Sequence, residues 1–146
     1  MCWIEEYFPN LSPTNYRITS QPTIEYNGIA WSIGENENDR CWWPDPLNVY
    51  YWPHSVPREE TLKAFTAVYN LLGYEVCTND RLEPGFEKVA LYVDSHGKPT
   101  HATRQLPTGN WTSKVLYGED IVHDRADSLE GEIFGYVCNI MKRPIQ

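Results

Sequence analysis

No two of the four cysteines form a C-x-x-C pair; Cys2, Cys41, Cys77 and Cys138 lie far apart in the chain. That spacing excludes a zinc ribbon and offers no disulfide framework. Basic clusters are missing too: none exceeds the two neighbours Lys142 and Arg143, and the formal charge is -8. Without a basic patch, neither nucleic acid nor an anionic membrane surface is an expected partner. No apolar run is long enough to span a bilayer, and the opening "MCWIEEYFPNLSP" carries two acids but no signal-peptide core. Repeats and low-complexity segments are absent. These absences predict a reduced, cytoplasmic protein, although a leaderless exported protein would share them. His54, His96, His101 and His123 show neither i, i+4 spacing nor an H-x-H pair, so no metal and no cofactor is expected.

Aromatic residues are plentiful, at 14% with six Trp and ten Tyr. The 146 residues suit one domain, 1–146, with enough apolar side chains for a core. Residues 1–25 hold three prolines and read as an irregular arm. "IAWSIG" (29–34) suggests a short helix ending at Gly34. From Glu35 to Pro57 repeated prolines break regular structure, while Trp42, Trp43, Tyr50, Tyr51 and Trp52 would pin the loop to the body or, where exposed, form a binding patch. The acidic run Glu35–Asp39 reads as a solvated face. "REETLKAFTAVYNLLGYEV" carries an apolar stripe at Leu62, Phe65, Tyr69 and Leu72, which predicts a core helix with "YEVC" leaving it as a short strand. "EKVALYVD", "THATRQL", "WTSKVLY" and "GEIFGYVCNIMKR" read as an antiparallel meander, with Gly135 a candidate bulge. The expected fold is therefore α+β, with N-terminal helices packed on a C-terminal sheet of about four strands.

The strings "YNGIAW", "FEKVALYVDSHGKPTHATRQLPTGNWTSK", "EDIVH" and "FGYVCNIMKR" together resemble an uncharacterised bacterial family of small domains. In that family the first motif reads Asn-Cys-Ile-Ala-Trp and the middle reads Thr-His-Ala-Ala-Arg-Gln-Leu before Trp-Thr-Ser-Lys. The resemblance covers residues 24–143. Its layout is similar to papain-like and NlpC-type cysteine hydrolases, in which a cysteine opens a helix and a histidine follows on an antiparallel strand. The resemblance implies a papain-like fold, with Gly28 at the nucleophile position and His101 as its base. Asn27, Trp31 and Trp111 would be binding residues beside them. Two positions depart from the pattern: Gly28 replaces the cysteine, and Leu116 stands where the family has glycine.

A thiol at such a position gains thiolate character from a neighbouring imidazolium, and the histidine shuttles its proton. Glycine can do neither. Cys41 has no helix start of its own and no basic neighbour but Arg40, which makes it a poor substitute; Cys77 and Cys138 sit in strand patterns and read as small core residues. His101 could equally be an ordinary hydrogen-bonded strand residue. Ser113, Lys114, Asp120 and His123 are the nearby polar candidates to orient it; Asp120 is the first choice, because a carboxylate suits that task, and Ser113 the second, although Asp120 could also be a turn residue. Strand parity separates the options. An even hairpin at "PTGN" places Thr112 and Lys114 on the His101 face, whereas an odd loop places Ser113 and Trp111 there. Two functions are then expected: a catalytically inactive hydrolase-like domain that binds a peptide or protein, or an active amide or thioester hydrolase in a parent form with cysteine at position 28. A purely structural interaction module is a third.

Overall fold

Thr61 has an extended backbone, and its side chain accepts a hydrogen bond from the Ala64 amide, which starts the longest helix, α3 (Leu62–Leu71). The chain turns out of α3 at Gly73, in the left-handed region. The structure, a computed structural model, describes residues 3–34, 40–115 and 118–145. Cys2, the run Glu35–Asp39 and Leu116 lie outside the described residues. Two five-residue helices precede α3, namely α1 (Trp3–Tyr7) and α2 (Gly28–Ser32). The strands are β1 (Tyr16–Ile18), β2 (Glu75–Cys77), β3 (Phe86–Val93), β4 (Pro99–Gln105), β5 (Trp111–Lys114), β6 (Asp120–His123) and β7 (Tyr136–Pro144).

All seven strands join one antiparallel sheet in the order β1-β6-β5-β4-β3-β7-β2. This corrects the expected α+β, papain-like arrangement of helices over about four strands. The molecule is mostly antiparallel sheet, and its helices are few and short. The extra strands come from segments that look like loops locally. Tyr16–Ile18, inside the proline-bearing arm, pairs Tyr16 with His123 and Ile18 with Ile121. Asp120–His123 is in turn held by β5, with Ser113 opposite Ile121. Neither segment is long enough for its own alternation to register as a strand. The helix expected from Arg58 to Gly73 shortens to Leu62–Leu71, because its charged start lies outside the turn capped by Thr61.

Both faces of the central strands are covered. On one, Val89, Leu91, Ala102 and Met141 pack against Ile29 and Ala30 of α2, Phe65 and Val68 of α3, and the loop residues Trp42 and Trp52. On the other, Tyr92, Val115 and Ile121 pack against Ile4 of α1, Phe8 just after it, Leu129 and Phe134. Two-sided burial explains why β3 reads as nearly continuous apolar residues rather than a clean alternation. Buried Lys88 in the same strand is satisfied by the Asn79 carbonyl and side-chain oxygens, each at 3.1 Å, and lies 3.4 Å from Glu83.

The aromatic loop after residue 40 is fastened by one guanidinium. Arg58 donates to the Asp45 carbonyl at 2.9 Å, to the Asn48 side chain at 2.8 Å and to the Tyr50 carbonyl at 3.2 Å. The bulge expected at Gly135 falls elsewhere. The β3–β7 register slips between Leu91 opposite Asn139 and Tyr92 opposite Val137, so Cys138 is the extra residue. Cys138 is exposed, not the small core residue its strand context suggests.

Gly135 has a different duty. A Cβ there would sit 1.9 Å from the Val93 carbonyl oxygen, and its φ is +80°. Gly135→Ala should therefore lose about 3 kcal/mol or more in urea unfolding, through overpacking against backbone added to left-handed strain. Gly97→Ala, with similar φ (+79°) and nothing within 4 Å, should lose only about 1 kcal/mol. Equal losses would show that close approach to Val93 does not matter.

Candidate functional site

Strands β4 and β5 pair at only two positions, Arg104 with Thr112 and Gln105 with Trp111. The turn between them has an odd number of residues, with the Leu106 amide donating to the Asn110 carbonyl at 2.7 Å. Opposite residues of an antiparallel pair share a face, so this register sets Trp111 and Ser113 on the face of His101. The odd-loop alternative is the one adopted. Past Arg104 the ladder stops, and the start of α2 meets both strands at the opening.

Asn27 holds that start in place. Its Oδ1 accepts from the Ala30 and Trp42 amides, both at 3.1 Å, while its Nδ2 donates to the Trp42 carbonyl at 2.8 Å. The residue named for binding thus acts as a cap and a clasp. Gly28 follows at once. A Cβ built on it would lie 2.7 Å from His101 Nδ1, 3.1 Å from His101 Cε1 and 3.5 Å from the Lys114 carbonyl oxygen. The imidazole occupies the space a side chain at 28 would need.

His101 is 3% exposed. Its ring stacks on Phe134 at 4.1 Å between centroids with planes 3° apart, and Tyr92 meets it edge-on at 5.4 Å. Its Nε2 lies 3.1 Å from Ser113 Oγ. Ser113 Oγ is in turn 2.9 Å from His123 Nε2 and 2.8 Å from Thr103 Oγ1. His123 Nδ1 donates to the Arg125 carbonyl at 2.8 Å, and the Thr103 hydroxyl donates to the Thr112 carbonyl at 2.9 Å. Two buried histidines are thereby joined through one serine.

Asp120 stands apart from this chain. Its Oδ2 accepts from the Tyr26 hydroxyl at 2.6 Å, and it pairs in register with Lys114. Tyr26 stacks on Trp31, whose indole donates to Thr112 Oγ1 at 2.9 Å. Trp111 is buried beside Ala90 and Ala126. Of the residues expected at the site, Gly28, His101 and Ser113 come together, with Asn27 at the edge. Asp120, Trp31 and Trp111 are engaged elsewhere.

A cleft of about 330 Å³ opens over Gly28 and His101, walled by Cys41, Trp43, Tyr50 and Phe134. Sequence reasoning missed Thr103 and Phe134, whereas His123 stood among the polar candidates and Trp43 and Tyr50 in the aromatic loop. Thr103 was legible because it lies two residues from His101 on one strand, whereas placing His123 on that face needs the β5–β6 register, Trp111 opposite His123, as well as the odd turn. Phe134 carried no such signal.

Burial without a countercharge governs the electrostatics. It pushes His101 down to about 3, with the neighbouring His123 adding to the effect. Burial also pushes His123 down to about 4, against the Arg125 carbonyl bond, which favours the charged ring. The Lys114 ammonium is lowered by burial and partly restored by Asp120. The Cys41 thiol is raised by burial, although Lys114 pulls the other way. No thiolate is favoured here.

Among the described residues no group of three or more His, Cys, Asp or Glu could hold a metal ion, and no helix is long and apolar enough to cross a membrane. Taken together, the fold and site define an antiparallel-sheet domain with a neutral, hydrogen-bonded histidine pair beneath a partly aromatic cleft. The chain belongs to the family described as Domain of unknown function (DUF7689), whose profile matches residues 17–142. No curated protein and no solved structure matches it.

Two outcomes follow from this packing. Both rings are neutral in the fold, whereas in the unfolded chain they protonate near an ordinary pKa of about 6.5. The unfolded state then binds more protons below that pH, so the stability they contribute is full above about 6.5 and falls as pH drops toward 4. Urea unfolding should lose roughly 1.4 kcal/mol per pH unit per histidine across this window, and His123→Gln should flatten the slope. Gly28→Ala should cost about 1–3 kcal/mol by crowding the ring. In a His101→Ala background that cost should largely vanish, a coupling that a double-mutant cycle measures.

Proposed function

We propose that this chain is a cysteine-hydrolase-type domain without its nucleophile, and that it binds a peptide or protein segment in the cleft over Gly28. The observation that carries the proposal is the approach of Gly28 to His101 Nδ1: the place where a side chain would attach lies 2.7 Å from a ring nitrogen at a cleft wall. A nucleophile and base need this mutual reach, and a residue without a side chain cannot use it. The ring fills the volume that a side chain at position 28 would need, which favours an inactive role for this chain over an active one. Cys41 does not fill the gap, because its thiol is held in the protonated form by burial. Trp43, Tyr50 and Phe134 supply apolar walls, and Thr100 and His101 supply polar groups, a mixture suited to a short stretch of polypeptide. The likeness to hydrolases rests on the site and not on the architecture.

Restoring the thiol tests this. In a Cys41→Ser background, Gly28→Cys should react with iodoacetamide near neutral pH about tenfold faster than the exposed Cys138, as mapped by peptide mass spectrometry. Adding His101→Ala should abolish the advantage. Residue 28 labelling no faster than Cys138, with or without His101, would defeat the reading.

A further inference from the structure

The hydrogen-bond chain behind His101 has a direction, set by its far end. A carbonyl oxygen only accepts, so His123 must carry its proton on Nδ1, toward Arg125. Its Nε2 is then a bare acceptor. The Thr103 proton is taken by the Thr112 carbonyl, so the Ser113 proton goes to Thr103 Oγ1 at 2.8 Å or to that nitrogen at 2.9 Å, and in neither case to His101. With its single proton given away, Ser113 Oγ can only accept from His101 Nε2, at 3.1 Å. The His101 proton is thus on Nε2, and Nδ1 is left bare beside Gly28. The reverse assignment would withdraw Thr103 from the Thr112 carbonyl and put an N–H beside Gly28, where it meets no hydrogen-bond acceptor among the described residues.

We infer that Ser113 and His123 are positioning residues that lock His101 in the Nε2–H tautomer, so that the cleft presents a bare imidazole nitrogen that recognises a neutral N–H or O–H donor, such as a backbone amide of an extended peptide. The recognition half rests on the binding role proposed above; the tautomer half does not. The ring cannot meet an anion halfway by charging, since desolvation keeps it neutral. A carboxylate would face a lone pair. An amide N–H meets the only acceptor His101 has to spare, and the aromatic walls cover the flanking side chains.

Nitrogen-15 NMR of the histidine rings in the full chain tests both halves, because protonated and bare ring nitrogens resonate far apart. His101 should show a bare Nδ1 with a protonated Nε2, and His123 the opposite tautomer. Ser113→Ala should move His101 toward a mixture of tautomers. A merely structural serine would leave the tautomer unchanged, which would overturn the positioning role. A His101 proton on Nδ1 in the unmutated chain would overturn the inference without any variant. For the ligand, N-acetyl-phenylalanine N-methylamide should shift His101 Nδ1 toward a hydrogen-bonded position, while the analogue methylated at every amide nitrogen should not. Shifts with neither compound, or with both alike, would overturn the recognition half. The thiol-restoration result is independent of both readouts, so failure of the hydrolase-type reading remains distinguishable from failure here.

Discussion

A neutral imidazole wedged between a phenylalanine face and a glycine backbone sets the character of this molecule. His101 lies flat on Phe134, is bounded by Tyr92, and is tied through Nε2 to Ser113. Each contact removes water, and none supplies a negative charge. The ring therefore stays neutral, and it fits only because residue 28 has no side chain. The identity of Gly28, the choice of a hydroxyl partner and the burial of a second histidine belong to one arrangement.

Asp120 illustrates the alternative this fold did not take. A carboxylate at Nε2 would favour a charged ring, as a thiolate partner requires. Here the carboxylate is spent on the Tyr26 hydroxyl beside Lys114, while the imidazole receives a serine and, behind it, another neutral ring. Burial raises the Cys41 thiol at the cleft wall, so no thiolate is favoured that would call for an imidazolium beside it.

The sheet makes this possible by being covered on both sides. Helices α2 and α3 and the aromatic loop close one face, and α1 with the segment around Phe134 closes the other. His101 reaches the cleft because β4 and β5 part beyond Arg104 and Thr112, where the start of α2 enters. Long, strongly patterned elements were legible in the sequence: α3, β3, β4 and β7 each carry enough residues to show their period. Three-residue strands such as Tyr16–Ile18 carry no period, and their pairing depends on partners about a hundred residues away. The predicted papain-like architecture failed for that reason. Ser113 was within reach of parity reasoning, but choosing it over Asp120 required knowing that the hairpin turn is odd.

The sequence by itself determined composition, charge, the strongly periodic elements and the suspicion attached to Gly28 and His101, because these depend on residue type and local spacing. Only the tertiary structure decided the seven-strand order, the pairing of His101 with Ser113 and His123, and the packing of Phe134 on the ring. Those contacts join residues from separate strands and loops. Their geometry is set by register and by two-sided burial, which no local pattern encodes.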